Sequence, residues 1–298
     1  MIGARSFSNA LMAAAVVAGT IADRPPVNPP LFAGGYRVLA ADFHTHSSTL
    51  SDGALTPFGM VLEARRQRLD VIAVTGHNQL SDARVARWYS RIVGAPVVLV
   101  GEEVLTGPRY HLIAVGVTKR VGFLQPAAAA IDEIHRQGGV AIAAHPTRGG
   151  GGDWFDRAAL ERLDGAEICH PLIYVYGAGQ RDLEDFRARA PLAAIGSSDF
   201  HGTAAMGLCR TFVFARDASE PSILEAIRAH RTVVYGLDGR AYGDPAMIRL
   251  GEGLGLAEAA SPRDPKGALD WFSRVAGVAG LAFSVAIGRS NSSRRSAA

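Results

Sequence analysis

Nine side chains of the kind that bind divalent cations stand at the ends of short apolar runs, or one turn beyond them, in this 298-residue chain. His44 and His46 close the run that begins at Val38, and Asp52 follows in the turn Ser51-Asp52-Gly53. His77 closes the run from Val71, Glu103 the run from Val97 and His145 the run from Val140. Asp199 and His201 close the run from Leu192, and His111 opens a further run, His-Leu-Ile-Ala-Val-Gly-Val. Residues two apart share a face of an extended strand, so His44 with His46, and Asp199 with His201, can each offer two donors to one ion. Mixed imidazole and carboxylate donors favour zinc, manganese or iron over magnesium or calcium. Two such ions can share a water, lower its pKa towards neutrality and neutralise phosphate oxygens during in-line displacement.

For these groups to meet, the runs must be neighbouring strands whose carboxyl ends gather on one face. Short apolar runs bounded by glycine or polar residues read as buried parallel strands. Helices are expected between them at 57–68 (Thr56 as cap), 81–91 (Ser81 or Asp82 as cap), 126–137 and 220–229, with Pro126 and Pro221 at first helical positions. Shorter helices are expected at 156–163 and 181–189, and further strands at 111–117, 166–169, 211–215 and 232–235. This alternation over residues 36–240 predicts an α/β barrel with its site at the carboxyl ends of the strands. A glycine-rich loop follows His145, and Arg148 on it is a candidate phosphate clamp, because a guanidinium fork matches phosphate oxygens. His170 ends the strand Glu167-Ile168-Cys169-His170 and is a second candidate for contact with substrate or metal. The loops between strand ends are short, which implies an open site suited to small substrates.

Composition narrows the remaining classes. An apolar content of 48% supports a large core, and 20% charged residues argues against disorder. The net charge of +3 is scattered, and no basic stripe interleaves with aromatic residues, so no nucleic-acid groove is evident. Cys169 and Cys209 form no CxxC pair and read as free buried thiols; a disulfide would need an oxidising compartment. Residues 1–35 read as a signal peptide, with cleavage after Ala22, or as an N-terminal membrane segment, followed by a Pro-rich linker. Residues 241–267 read as a second linker. Residues 268–298 form an apolar helix with Trp271 and Phe272 on one flank and Arg289, Arg294 and Arg295 on the other. That helix suits a membrane segment with its carboxyl end in the cytoplasm, or an amphipathic helix packed on the barrel or on a partner. Membrane signals at both ends would place the barrel outside the cytoplasm; otherwise the chain is cytoplasmic.

Asp42-x-His44-x-His46-Ser47, with Ser51-Asp52-Gly53, resembles the opening motif of the PHP family, the polymerase and histidinol phosphatase domain. Thr75-Gly76-His77-Asn78, Gly101-Glu102-Glu103, Ala144-His145-Pro146 and Ser198-Asp199-Phe200-His201 resemble its later motifs, in the family's order. The resemblance implies a distorted (β/α)7 barrel, two or three divalent ions (Zn, Mn or Fe) and phosphoester hydrolysis. It assigns one ion to His44, His46, Glu103 and Asp199, and a second to Asp52, His77 and His201. Glu103 would bridge to a third ion held by His145, with His111 as a further ligand; Glu102 is the rival for the bridge. Glu103, Asp199 and His145 are the catalytic candidates, and His111, His145 or His170 could protonate the leaving group. Gly76 stands where the family commonly has Asp, and losing a group that orients a ligand costs about tenfold or more. The expected activity is hydrolysis of a small phosphorylated metabolite, a nucleotide or sugar phosphate, by a metal-activated hydroxide. The alternatives are a non-catalytic metal-binding or sensory module, a 3'-5' exonuclease-type phosphodiesterase, and hydrolysis of a carbon–nitrogen bond.

Overall fold

The structure, a computed structural model, describes residues 2–22, 29–107, 110–147, 155–171, 179–260 and 267–295. The chain forms two compact units, one of residues 27–262 and one joining residues 1–26 to 263–298.

The larger unit is a curled mixed sheet. Its strands are β1 (Leu31–Ala33), β2 (Tyr36–Asp42), β3 (Val71–Val74), β4 (Val97–Leu105), β5 (His111–Val115), β6 (Val140–Ala143), β7 (Gly165–Cys169), β8 (Ala193–Gly196), β9 (Thr211–Ala215), β10 (Thr232–Tyr235) and β11 (Ala241–Gly243). They lie in the order β11-β10-β9-β2-β3-β4-β5-β6-β7-β8, with β1 on β2. The pairs β2–β3, β3–β4, β6–β7 and β7–β8 are parallel, whereas β5 is antiparallel to both neighbours and β9 is antiparallel to β2. The expected α/β barrel is therefore present, and its distortion takes the form of these reversed strands.

Both faces of the strands are buried, which is why they read as unbroken apolar runs. Leu39, Val71, Leu99, Ile142, Ile195 and Val213 cluster with Ile223, Leu224 and Ile227 of a helix at Glu220–Arg228, which plugs the barrel interior. Their alternate neighbours, such as Val38, Ile72, Val98 and Leu112, pack outwards on helices at Pro57–Arg66, Ser81–Val93 and Ala127–Arg136. Thr56 caps the first of these as expected. The second is capped differently: Gln79 Oε1 accepts from the amides of Ser81 and Asp82, and the Asp82 carboxylate is turned inwards to Ser47.

The sheet closes without a backbone ladder. Thr211 Oγ1 accepts from Gly196 N and donates to Gly196 O, each at 2.8 Å, joining β9 to β8. A Cβ on Gly196 would lie 1.9 Å from the Cys209 carbonyl oxygen, so only glycine permits this approach. Next to the seam Cys169 and Cys209 form a disulfide, which corrects the free-thiol expectation. Both Cβ atoms already sit in one buried apolar cluster with Ala194 and Val234. Closing a loop over a sequence separation of 40 residues contributes about 4 kcal/mol by chain entropy.

Two linker expectations also need correction. Leu31–Ala33 pairs with Tyr36–Val38 as a hairpin, so the barrel begins inside the stretch assigned to the first linker. The expected linker 241–267 holds β11 and helices at Pro245–Gly253 and Leu256–Ala259, the former capped by Asp244, whose carboxylate accepts from Ala246 N and Met247 N. Glycine and proline there mark caps and turns.

The smaller unit pairs α1 (Ile2–Ala22) with the long C-terminal helix at Ala268–Arg295. Among the described residues, Ala268–Ile287 is the one stretch long and apolar enough to cross a membrane.

Replacing Thr211 by Val keeps the shape but strands two buried backbone groups. We expect a loss of about 2–4 kcal/mol, read from the midpoint of urea unfolding at unchanged slope.

Candidate metal centre

Glu103 anchors the site. It lies in the second half of β4, where that strand leaves β3 and pairs with β5. Its amide donates to Thr75 O at 2.9 Å and its carbonyl accepts from Asn78 N at 3.0 Å, which ties it to the loop after β3. The buried carboxylate faces five imidazoles. Oε2 lies 3.3 Å from His44 Nε2, 3.3 Å from His46 Nε2 and 3.1 Å from His77 Nδ1. Oε1 lies 2.6 Å from His111 Nδ1 and 3.1 Å from His145 Nε2. The register explains His111: it pairs with Leu105, two residues from Glu103, and so shares its face.

Asp199 closes the cluster from β8, its Oδ1 3.2 Å from both His44 Nε2 and His46 Nε2. Towards solvent, Asp52 (53% exposed) lies 3.2 Å from His46 Nδ1, 3.4 Å from His77 Nε2 and 3.3 Å from His201 Nε2. All nine ligand candidates therefore converge. They form overlapping groups, His44-His46-Asp199, His46-Asp52-His77-His201, His77-Glu103-His111 and His44-Glu103-His145.

The donor atoms fit cations. A carboxylate only accepts, so the 3.0 Å contact with Glu167 Oε1 puts the His44 proton on Nδ1. A neutral His44 ring then aims the Nε2 lone pair at the carboxylate oxygens of Glu103 and Asp199. The Nε2 atoms of His44 and His46 and Asp199 Oδ1 are buried without a hydrogen-bond partner. Lone pairs so opposed repel unless a proton or a cation lies between them. Donors bound at about 2.0–2.2 Å to one ion stand about 3.0–3.5 Å apart, which matches the spacings here.

The electrostatics agree. Burial opposes charge on His44, yet Asp199, Glu103 and Glu167 hold its pKa well above the usual range. Burial likewise opposes charge on Glu103, but His44, His111 and His145 hold it well below the usual carboxylate range. Asp199 is held low by His44, His170 and His46 in spite of burial. His46 loses charge stability by burial and regains more from Asp199 and Glu103, reaching about 8.

Several supporting residues escaped the sequence reading. Glu167 accepts from His44 Nδ1 and, at 2.5 Å, from the His145 amide, so one buried carboxylate orients two ligands. Its signal was an acid inside the apolar strand Ala166-Glu167-Ile168. Asp42 accepts from Ser198 N, Ser198 Oγ, Gly207 N and His44 N, which pins the loop carrying Asp199 and His201 to the end of β2. His145 and Asp199 both have positive φ, 31° and 45°, a strained backbone found at sites that other contacts over-determine.

Gly76 leaves no gap. A Cβ there would stand 2.3 Å from Gln79 Nε2 and 3.0 Å from Ser51 Cβ. Ser51 Oγ occupies that corner, 3.3 Å from His46 Nδ1 and 2.9 Å from Asp52 Oδ1. A serine thus stands beside His46 where the family's Asp would begin. Glu102 faces away from the cluster, its Oε1 accepting from Val121 N, and burial raises its pKa to about 7. His170, expected to contact substrate or metal, is buried on the floor, 3.5 Å from Asp199 Oδ2 and 3.6 Å from Glu167 Oε2, and with His44 and Glu167 it forms a further group that could hold a cation. Arg148 lies outside the described residues.

Three outcomes follow. Glu167→Gln should weaken metal binding about 10–100-fold at unchanged far-ultraviolet dichroism, measured by chelator competition. Protons and cations compete for the same lone pairs, so affinity should climb as pH rises towards about 8 and level off above it, with calorimetry in paired buffers registering proton release. The metal-free fold has the opposite dependence on its imidazoles. Raised His44 and His46 values stabilise it fully below about 6.5; the His46 contribution is lost as pH rises through about 8, and the His44 contribution is lost well above its usual range. Lowered Glu103 and Asp199 values stabilise it above about 4.5, a contribution lost on acidification.

Residues 181–232, which carry Asp199 and His201, match the PHP-associated family. No curated protein matches the chain. Among solved structures it is similar to a two-domain protein from Bacteroides vulgatus described as containing a PHP-like metal-dependent phosphoesterase. That protein is 24% identical, with 77% of this chain and 74% of that one covered and a TM-score of 0.62. A Bifidobacterium adolescentis protein described as a metal-dependent phosphoesterase is 18% identical over 60% of this chain and 92% of its own, at a TM-score of 0.45. The first of these shares the barrel fold. The chain is thus similar to the PHP-associated family over residues 181–232 and shares its barrel fold with a protein described as PHP-like.

Proposed function

We propose that this chain is a metal-dependent phosphoesterase acting on a small phosphorylated metabolite, a nucleotide or a sugar phosphate. The observation that carries the reading is Glu103, whose two oxygens face separate sets of imidazoles. A carboxylate in that position would be able to serve cations held by either set, and a cluster of two or three divalent ions would suit phosphoester cleavage. When bound, such ions supply positive charge to the phosphate oxygens and a nucleophile at neutral pH.

The protein's own groups do the rest. His44, His46 and Glu103 form a buried floor, with Asp199 part-buried at its rim, and low local dielectric strengthens the electrostatic contacts there. Asp52, His77 and His201 are more exposed, so substrate approaches from their side. Glu167 and His170 hold the floor carboxylates and imidazoles in register. His111 contacts Glu103 through Nδ1, which leaves Nε2 on a part-exposed ring to carry a proton to the departing alkoxide. Arg148, two residues past Pro146 in the sequence, is the proposed phosphate clamp.

The test is a substrate panel on the full chain loaded with manganese, zinc or iron: aryl phosphates, nucleotides, sugar phosphates, a phosphodiester and amides. Turnover of phosphomonoesters is expected, with kcat falling about 100-fold or more in Glu103→Gln. Bound ions with no turnover of any phosphoester would identify a non-catalytic module instead. Activity confined to the diester or to amides would overturn the substrate class.

A further inference from the structure

The two terminal helices pair with their large apolar side chains outside and their small residues inside. Ser8, Ala15, Ala18 and Ala276 are buried between them, while Val16, Val17, Val275, Val278, Leu281 and Phe283 are exposed, Val278 at 71%. Only 17% of the apolar window in the C-terminal helix is buried. A soluble helical pair does the reverse and hides its large side chains. Small residues inside and large ones outside is the pattern of helices that associate within lipid.

The close approach is built in. A Cβ on Gly280 would meet Met12 Cγ at 2.6 Å, and one on Gly19 would meet Ser273 Oγ at 2.7 Å. The polar groups are satisfied within the pair: Ser8 Oγ donates to Gly280 O and Ser273 Oγ to Ala15 O, each at 2.8 Å. In hydrocarbon, no water would otherwise serve them.

Charge decides the occupant. Residues 6–22 and 275–288 carry no charged side chain, which gives about 25 Å and 21 Å of helix. Beyond this band, Arg5 begins one helix and Arg289, Arg294 and Arg295 end the other, with no acid among residues 1–22 or 275–298. At the opposite end stand Trp271 and the Asp270–Arg274 ion pair, Nε to Oδ2 at 2.9 Å, and the sequence beyond it mixes Arg24, Arg263 and Lys266 with Asp23 and Asp264. The helices run antiparallel, as the contacts Phe7–Phe283 and Ala15–Ser273 show, so all four distal arginines belong to one end. A second copy of the chain would cover one stripe of this surface and give the basic end no counter-charge. A bilayer covers the whole circumference, and anionic headgroups meet the arginines.

We propose that α1 is retained in the mature protein and forms, with the C-terminal helix, a two-helix membrane anchor. The antiparallel pair puts both chain ends on one side of the membrane, the cytoplasm, and residues 27–262 on the other. The Cys169–Cys209 disulfide fits that placement, since such bonds persist in oxidising compartments.

The full chain should float with vesicles of phosphatidylethanolamine and phosphatidylglycerol and resist extraction by high salt and alkaline carbonate. Val278→Lys combined with Leu281→Lys should cut the floated fraction about tenfold, with the unfolding midpoint of the barrel unchanged. Protease added to intact spheroplasts of an expressing bacterium should digest the barrel and spare the helices. The proposal is overturned by a mature chain that begins at Asp23 by intact mass, by a wild-type chain that stays soluble as monomer or dimer, by undiminished flotation of the double variant, or by a protease-protected barrel.

Discussion

A buried carboxylate must be neutralised where it stands, and Glu103 is neutralised from five directions. Removing an ionised group from water without compensation costs several kcal/mol, so the ring of imidazoles around it is an electrostatic necessity. It is also unstable in composition. Neutral rings oppose lone pairs to carboxylate oxygens, protonated rings repel one another, and cations relieve both conflicts. The fold serves this constraint. The long β4 carries Glu103 past the end of β3, and the antiparallel β5 brings His111 to the same face. The ends of β2, β3, β6 and β8 supply the other donors.

Holding those donors takes a second set of buried acids. Asp42 fixes the loop after β8, Glu167 orients His44 and His145, and Asp82 accepts from Ser47 Oγ and Leu50 N, which steadies the turn that presents Asp52. Each acid spends its oxygens chiefly on protein donors. Gly76 belongs to the same network. The corner it leaves is filled by Ser51 and Gln79, and Ser51 reaches both His46 and Asp52. What reads as a loss in one motif is a rearrangement across two loops.

The ligand set was legible in the sequence because metal chemistry admits few residue types and strand ends show as breaks in apolar runs. The parallel strands and the three longest barrel helices were legible for the same reason of periodicity. The reversed directions of β5 and β9 were not, since alternation fixes a strand but leaves its direction open. Glu167 had no role legible in the sequence because a single acid in an apolar strand has no spacing signature, and Asp42 stood in the first motif but its partners on the loop after β8 are tertiary. The Cys169–Cys209 bond depends on two chain segments meeting at the barrel seam, which only the tertiary structure reveals. The segment 241–267 misled because Asp244-Pro245, a helix start, has the composition of a linker.

Glu103 as a shared ligand is the claim on which the site stands. Anomalous scattering from crystals of the full chain soaked with manganese or zinc measures it directly. The account predicts at least two peaks, one on each side of the Glu103 carboxylate, with Oε2 beside the ion held by His44, His46 and Asp199. A single peak that leaves one Glu103 oxygen without a metal neighbour, or no peak in fully folded, loaded protein, would contradict it.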